Sequence, residues 1–178
     1  GGQGREASVK ERQIIFSAPM VRALLDGTKM QTRRVAKLTD AAHVKEPNGH
    51  RRWHPGDPNA SKACPYGQPG DRLWVRETWA HDAESLEQCR ASFEDAMGDG
   101  RYGPYYLATE SAPDTLHWKP SIHMPRWASR ITLEITRIRI ERLQAINEVD
   151  AIAEGAPWAA CGSPQDGSHK AGYAKLWE

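Results

Sequence analysis

Leu24-Leu25-Asp26-Gly27-Thr28-Lys29-Met30-Gln31-Thr32-Arg33-Arg34 is the stretch on which the reading of this chain turns. Upstream of it, Ser17 can cap a short helix in which Met20, Val21, Leu24 and Leu25 recur at helical spacing. Gly27 supplies the left-handed stop that helix ends favour. A lysine, a threonine three residues later and two arginines follow at once. Such a turn can hold Lys29 and the Thr32 hydroxyl against one anionic or polar ligand. It can equally be a helix end at which solvated cations on an exposed turn complement the dipole.

Working outward, Gln13-Ile14-Ile15-Phe16 reads as a first strand and Arg34 to Leu38 as a second. From Thr39 to Pro69 the chain is polar and rich in turn dipeptides, the pattern of an insertion rather than of core. Arg72 to Thr78 alternates, with Leu73, Val75 and Glu77 on one face and Trp74, Arg76 and Thr78 on the other. Asp82 to Met97 reads as a helix whose stripe of Leu86, Cys89, Phe93 and Met97 faces the core. Tyr105 to Ala108 is a short strand. Ala128 to Leu143 carries the longest strand pattern, with a change of phase near Thr136-Arg137 that implies a bulge. Asn147 caps a further helix running to Gly155. Short strands with a few helices predict an α+β chain built on a small curved sheet or barrel.

Three motifs stand in order: Gly27, Lys29, Thr32 and Arg34 as G-x-K-x-x-T-x-R; Gly67 to Trp79, with a Pro69-Gly70-Asp71 turn leading into Leu73-Trp74-Val75-Arg76-Glu77; and Trp118 to Arg130. Together they resemble the ASCH domain family of the PUA-like superfold, and the third is similar to a longer subgroup common in phage and prophage genomes. The resemblance covers about residues 12 to 155. It implies a PUA-like small mixed β-barrel with peripheral helices over 12–178, a flexible tail over 1–11 and a polar insertion at about 39–69. The longer subgroup usually continues past Leu176-Trp177-Glu178 into a closing "NPWVW" strand, so an exposed sheet edge is expected here.

Composition bounds the rest. A chain of 178 residues is most simply one domain with a real core. No stretch is apolar enough for a membrane span and no signal peptide is visible. An odd set of three cysteines (Cys64, Cys89, Cys161) argues against a disulfide framework and fits a reducing cytoplasm. The net charge of +1 hides segregation. Residues 1–63 hold 12 basic against 6 acidic side chains, 80–116 hold 2 against 8, and 117–142 hold 6 against 2. A basic face for a polyanion and an ordinary solvated surface both fit these blocks.

Some compact ASCH-like proteins are amide hydrolases that remove the acyl group from N4-acetylcytidine and related nucleosides, using a lysine and a threonine of the first motif with a glutamate from a later helix. The resemblance carries these roles onto Lys29, Thr32 and Glu154, with Glu148 as the rival for the glutamate. Amide hydrolysis needs a nucleophile, a base and an acid for the leaving nitrogen. A lysine, with a reference pKa of about 10.4, must be lowered by burial or by neighbours such as Arg33 and Arg34 to act as the base. Thr32 is then the nucleophile or orients a water, and Glu154 orients the lysine or shuttles the proton.

A second expectation is a non-catalytic module for RNA or a modified nucleoside. Its contacts would come from Gly27, Arg33, Arg34, Trp74, Arg76, Glu77 and Arg130, with Trp79, Tyr105, Tyr106, Trp118 and Trp127 as stacking platforms or core anchors. His43, His50, His54 and Cys64 fit no standard zinc spacing, so the sequence calls for no metal and no cofactor. The oligomeric state is open.

Overall fold

The structure is a computed structural model, and it describes residues 9–35, 44–45, 51–52, 64–81, 85–94, 103–110, 116–161 and 163–176. The protein is mixed α+β, with small sheets and short helices. Its contacts divide into two compact units, one comprising Gly1–Phe16 with Leu38–Ile140 and the other Ser17–Lys37 with Glu141–Glu178. No helix among the described residues is long and apolar enough to cross a membrane.

The first unit is organised by three strands, β1 (Glu11–Ile15), β4 (Arg72–Arg76) and β7 (Thr132–Glu134), in the order β1-β4-β7. The β1·β4 pair is parallel, with Ile14 opposite Val75, and β4·β7 is antiparallel, with Leu73 opposite Leu133. The alternation read from the sequence holds in β4: Leu73, Val75 and, just past the strand, Glu77 are buried, while Trp74 and Arg76 are partly exposed. Ile14 and Phe16 of the β1 segment complete that apolar face. The chain is held before β1 begins, because the Lys10 backbone N–H donates to the Asp71 carboxylate. Asp71 also accepts from the Gln68 N–H, so one carboxylate ties the Pro69-Gly70-Asp71 turn to the start of β1, and these two donors hold its pKa below the usual value. Gly67, at φ 124°, has to be glycine: a Cβ there would stand 2.8 Å from an Asp71 carboxylate oxygen.

Two-residue strands β2 (Val44–Lys45) and β3 (Arg51–Arg52) pair antiparallel inside the polar insertion. Strands β5 (Trp79–Ala80) and β6 (Tyr105–Tyr106) form another short ribbon. Around it Trp79, Tyr106, Met124 and Ala128 build a core, with Trp127 edge-on to Trp79. Trp79 and Tyr106 are therefore core side chains, and neither is a stacking platform. Single 3₁₀ turns at Ser121–His123 and Arg126–Ala128 shape the third motif.

Some of the expected elements differ in this unit. The long strand over Ala128–Leu143 contracts to Thr132–Glu134, because its partner runs out. Antiparallel to β4, residues past 134 would have to pair with residues before 72, where Pro69 has no N–H and Gly70 turns the chain. The last rungs join Asp71 and Gly70 to Ile135, and 136–142 forms no strand. Helix α2 spans Leu86–Glu94 and buries only Cys89 of its expected stripe; Leu86 and Phe93 are exposed, Phe93 lying against Trp127, and position 97 is outside the described residues. Among the described residues the strands form one three-stranded sheet and three two-stranded ribbons, without closing a barrel.

The second unit contains helices α1 (Ala18–Leu25), α3 (Glu148–Ala153) and α4 (His169–Lys175), and a ribbon of β8 (Ala159–Cys161) with β9 (Ser163–Ser168). Ser17 is the N-cap of α1 by position, but its hydroxyl makes no capping bond. Asn147 does cap α3, its side chain accepting from the Asp150 N–H. Gly27 and Gly155 end α1 and α3 at φ 71° and 72°, as left-handed stops should. Ile146, Ala151, Ala156 and Tyr173 form the core of this unit. Of the strand expected from Arg34 to Leu38, Arg34 and Val35 are irregular, and 36–38 lie outside the described residues. The backbone N–H groups of Met30 and Gln31 both donate to one acceptor, the Ala153 carbonyl, rather than to a strand partner.

Candidate active site

The turn after α1 folds back on itself before it reaches Lys29. The Gly27 N–H donates to the Leu24 carbonyl, while the Lys29 N–H and the Thr28 hydroxyl both donate to the Ala23 carbonyl. The bonds from Met30 and Gln31 to Ala153 then fix this turn to the C-terminal end of α3, where helix carbonyls lack partners within the helix. Lys29 is thereby drawn inward. It is 3% exposed, and its ammonium donates to the Glu154 carbonyl at 2.7 Å and to Glu154 Oε2 at 3.0 Å. The expectation of an exposed turn lysine is thus corrected. Glu154 is buried as well, which excludes a solvated helix residue.

Arg33 closes the other side of the glutamate. Its Nη1 lies 3.5 Å from Glu154 Oε1, and its Nη2 lies 3.0 Å from Glu141 and 3.3 Å from Asp150 Oδ2. The remaining Asp150 oxygen accepts from the Gln31 amide at 2.9 Å. The guanidinium stands 5.9 Å from the centre of the Tyr173 ring. Arg34 turns back on its neighbour and donates to the Arg33 carbonyl. Burial lowers the Lys29 pKa, Glu154 raises it, and the charges of Arg34 and Arg33 lower it further; burial prevails, and the net direction is down.

Of the three nominated catalytic residues, the fold brings Lys29 and Glu154 into contact. Among the described residues the buried Thr32 hydroxyl has no hydrogen-bond partner, so it is bonded to neither of them. The rival Glu148 has another task. Its two oxygens accept from the backbone N–H groups of His169 and Lys170 at the start of α4, and these bonds lower its pKa. Asp150, Glu141 and Gln31 were missed by sequence reasoning. Asp150 carried a legible signal, since it stands four residues before Glu154 and so shares its helix face. Glu141 and Gln31 carried none.

Apart from Gly27, the remaining nominated residues lie in the first unit, in two sets of contacts. Glu77, 1% exposed, receives a bidentate pair of hydrogen bonds from Arg130 at 2.9 and 3.0 Å. Arg130 also donates to Thr109 and lies 4.0 Å above the centre of the Tyr106 ring. Burial pushes the Tyr106 phenol up, and its hydroxyl donates to the Ala128 carbonyl. Arg76 donates to Gln13 and to the Ile122 carbonyl and stands over the Trp74 ring, with Arg126 within 5.9 Å of the same ring. Within each set the side chains are engaged with partners of the protein itself, as structural contacts require. Gly27 contributes only its backbone turn, with open space where a Cβ would stand.

Comparison with known family models, curated proteins and solved structures returned no match to this chain.

Proposed function

We propose that Lys29, Thr32 and Glu154 form the active site of an amide hydrolase of ASCH-like type in a PUA-like fold, acting on a nucleoside acylated at cytidine N4. The observation that carries this reading is the buried Lys29–Glu154 contact with an unbonded, buried Thr32 hydroxyl on the same turn. A lysine desolvated in this way gives up its proton more readily, which suits a base near neutrality. Neutral Lys29 takes the proton from Thr32, or from a water that Thr32 orients, as the oxygen attacks the amide carbon. Glu154, 3.0 Å from the ammonium, relays that proton from Lys29 to the leaving nitrogen as the C–N bond breaks. Where Thr32 is the nucleophile, a water that gives its proton to Lys29 then cleaves the acyl-threonine ester, which frees acetate and returns the hydroxyl. The substrate class rests on the family resemblance, and the reaction type on the chemistry of the three side chains.

A module that holds RNA through Trp74, Arg76 and Arg130 is less well supported, because those donors and that ring already have partners within the protein.

The test is release of acetate from N4-acetylcytidine. Lys29→Ala is a poor control, since removing one member of a buried pair costs about 3–5 kcal/mol of stability. Thr32→Ala leaves that pair intact, whereas Glu154→Gln keeps the shape of the side chain but leaves the ammonium without its counter-charge. Wild-type turnover that falls by roughly 100-fold or more in both variants is expected, with the unfolding midpoint retained in Thr32→Ala and lowered in Glu154→Gln. A folded wild type that releases no acetate, or variants that retain full activity, would overturn the reading.

A further inference from the structure

The Lys29–Glu154 pair does not stand alone. We infer that Arg33, Asp150 and Glu141 are positioning residues that set how far the Glu154 carboxylate is committed to Lys29. This inference rests on the reading of Lys29 and Glu154 as the reacting pair.

Glu154 is divided between two cations, with Oε2 on Lys29 at 3.0 Å and Oε1 on Arg33 at 3.5 Å. Were Arg33 without other partners, it would draw the carboxylate away from the lysine. Asp150 and Glu141 prevent this, because both hold Nη2 of the same guanidinium, at 3.3 and 3.0 Å. Asp150 is itself fixed, by the Gln31 amide on its other oxygen and by its place on α3 one turn before Glu154. The groups are graded by burial: the side chain of Glu154 is 6% exposed, that of Asp150 9%, and that of Glu141 29%. Ammonium, carboxylate, guanidinium and two further carboxylates thus form one chain of contacts from the interior to the solvent.

The charged groups facing Lys29 are Glu154, Arg33 and Arg34, and behind Arg33 stand Asp150, Glu141 and the Tyr173 phenol. Each substitution therefore has a definite sign. Asp150→Asn removes a negative charge and frees Arg33 to compete for Glu154; both effects favour neutral Lys29 and move its titration to lower pH. Glu141→Gln at the exposed end acts in the same direction by a smaller amount. Arg33→Met removes the competitor and its repulsion, so the ammonium gains Glu154 and titrates at higher pH.

The experiment is titration of the Lys29 Nζ resonance by nitrogen-15 NMR in the wild type, Asp150→Asn, Glu141→Gln and Arg33→Met, beside the acidic limb of kcat/KM on N4-acetylcytidine. Opposite displacements for the carboxylate and arginine variants are expected, in the resonance and in the limb alike. A merely structural network would weaken folding and leave the Lys29 titration where it was, and that outcome, or shifts of one sign in all variants, would overturn the inference. If Asp150→Asn does not fold, Glu141→Gln carries the same sign at a surface position. Opposite NMR shifts without any acetate release would keep the network and overturn the hydrolase reading instead.

Discussion

Lys29 is a cation placed where water has been removed, and its fate depends on one carboxylate. Burial lowers its pKa in the folded protein, whereas in the unfolded chain the amine returns to its ordinary value of 10.5. Between those two values the unfolded state binds more protons than the folded one, so stability rises with pH across that window. Below the folded value the lysine is charged in both states and its desolvation cost is at its largest. The stability difference between the wild type and Lys29→Met should therefore move in favour of the wild type as pH rises from 7 to 10, read from urea midpoints. A difference that stays flat, or moves the other way, would mean that Glu154 outweighs burial and holds the lysine protonated. The residue scale also explains why the spacing of Lys29 and Thr32 could not reveal their surroundings. The same three-residue interval serves a solvated turn and a buried one, and only the Ala23 and Ala153 carbonyls decide between them here.

At the scale of elements, two helix ends with the same glycine stop have different demands. Gly27 and Gly155 share a left-handed backbone, but a Cβ at Gly27 meets nothing within 4 Å, whereas at Gly155 it meets Ala23 Cβ at 3.1 Å and Lys29 Cβ at 3.3 Å. Gly27→Ala should cost about 1–2 kcal/mol, the left-handed penalty alone. Gly155→Ala should cost more and should also displace Lys29, lowering turnover where Gly27→Ala does not; thermal unfolding and acetate release read the two effects separately. Both stops were legible as sequence, and so were the Asn147 cap, the β4 alternation and the helix that leads to Glu154, because each depends on neighbours a few residues away. Strand lengths were not. The 128–143 pattern offers alternating apolar residues well beyond the point where β4 has backbone groups to pair with, and a strand extends only as far as its partner.

For the whole molecule, the distribution of charge sets what binding to a polyanion should look like. Net charge is +1, and among the described residues Arg33, Arg76 and Arg130, three of the arginines nominated for RNA, are held by Glu77, Gln13, Asp150, Glu141 and Glu154. Binding to a single-stranded RNA of mixed sequence should then be weak, at about 10⁻⁴–10⁻⁶ M near physiological salt. The logarithm of affinity against that of salt should have a slope corresponding to only a few phosphates. Fluorescence anisotropy at several salt concentrations measures both. Nanomolar binding with a steep slope would restore the non-catalytic RNA module as the better account.

Local chemistry is enough for an α+β chain, the turn at Gly27, the inward face of Leu73, Val75 and Glu77, and the order of the three motifs, and all of these were legible in the residues alone. The sequence also nominated Lys29 and Glu154, 125 residues apart, through resemblance. That this pair meets in a buried contact, that Glu148 is engaged at the start of α4, and that Arg33 links Glu154 to Asp150 and Glu141 came from the packing of distant segments. A carboxylate's role is set by the donors that reach it and by the water taken away from it, and both are supplied by distant parts of the chain.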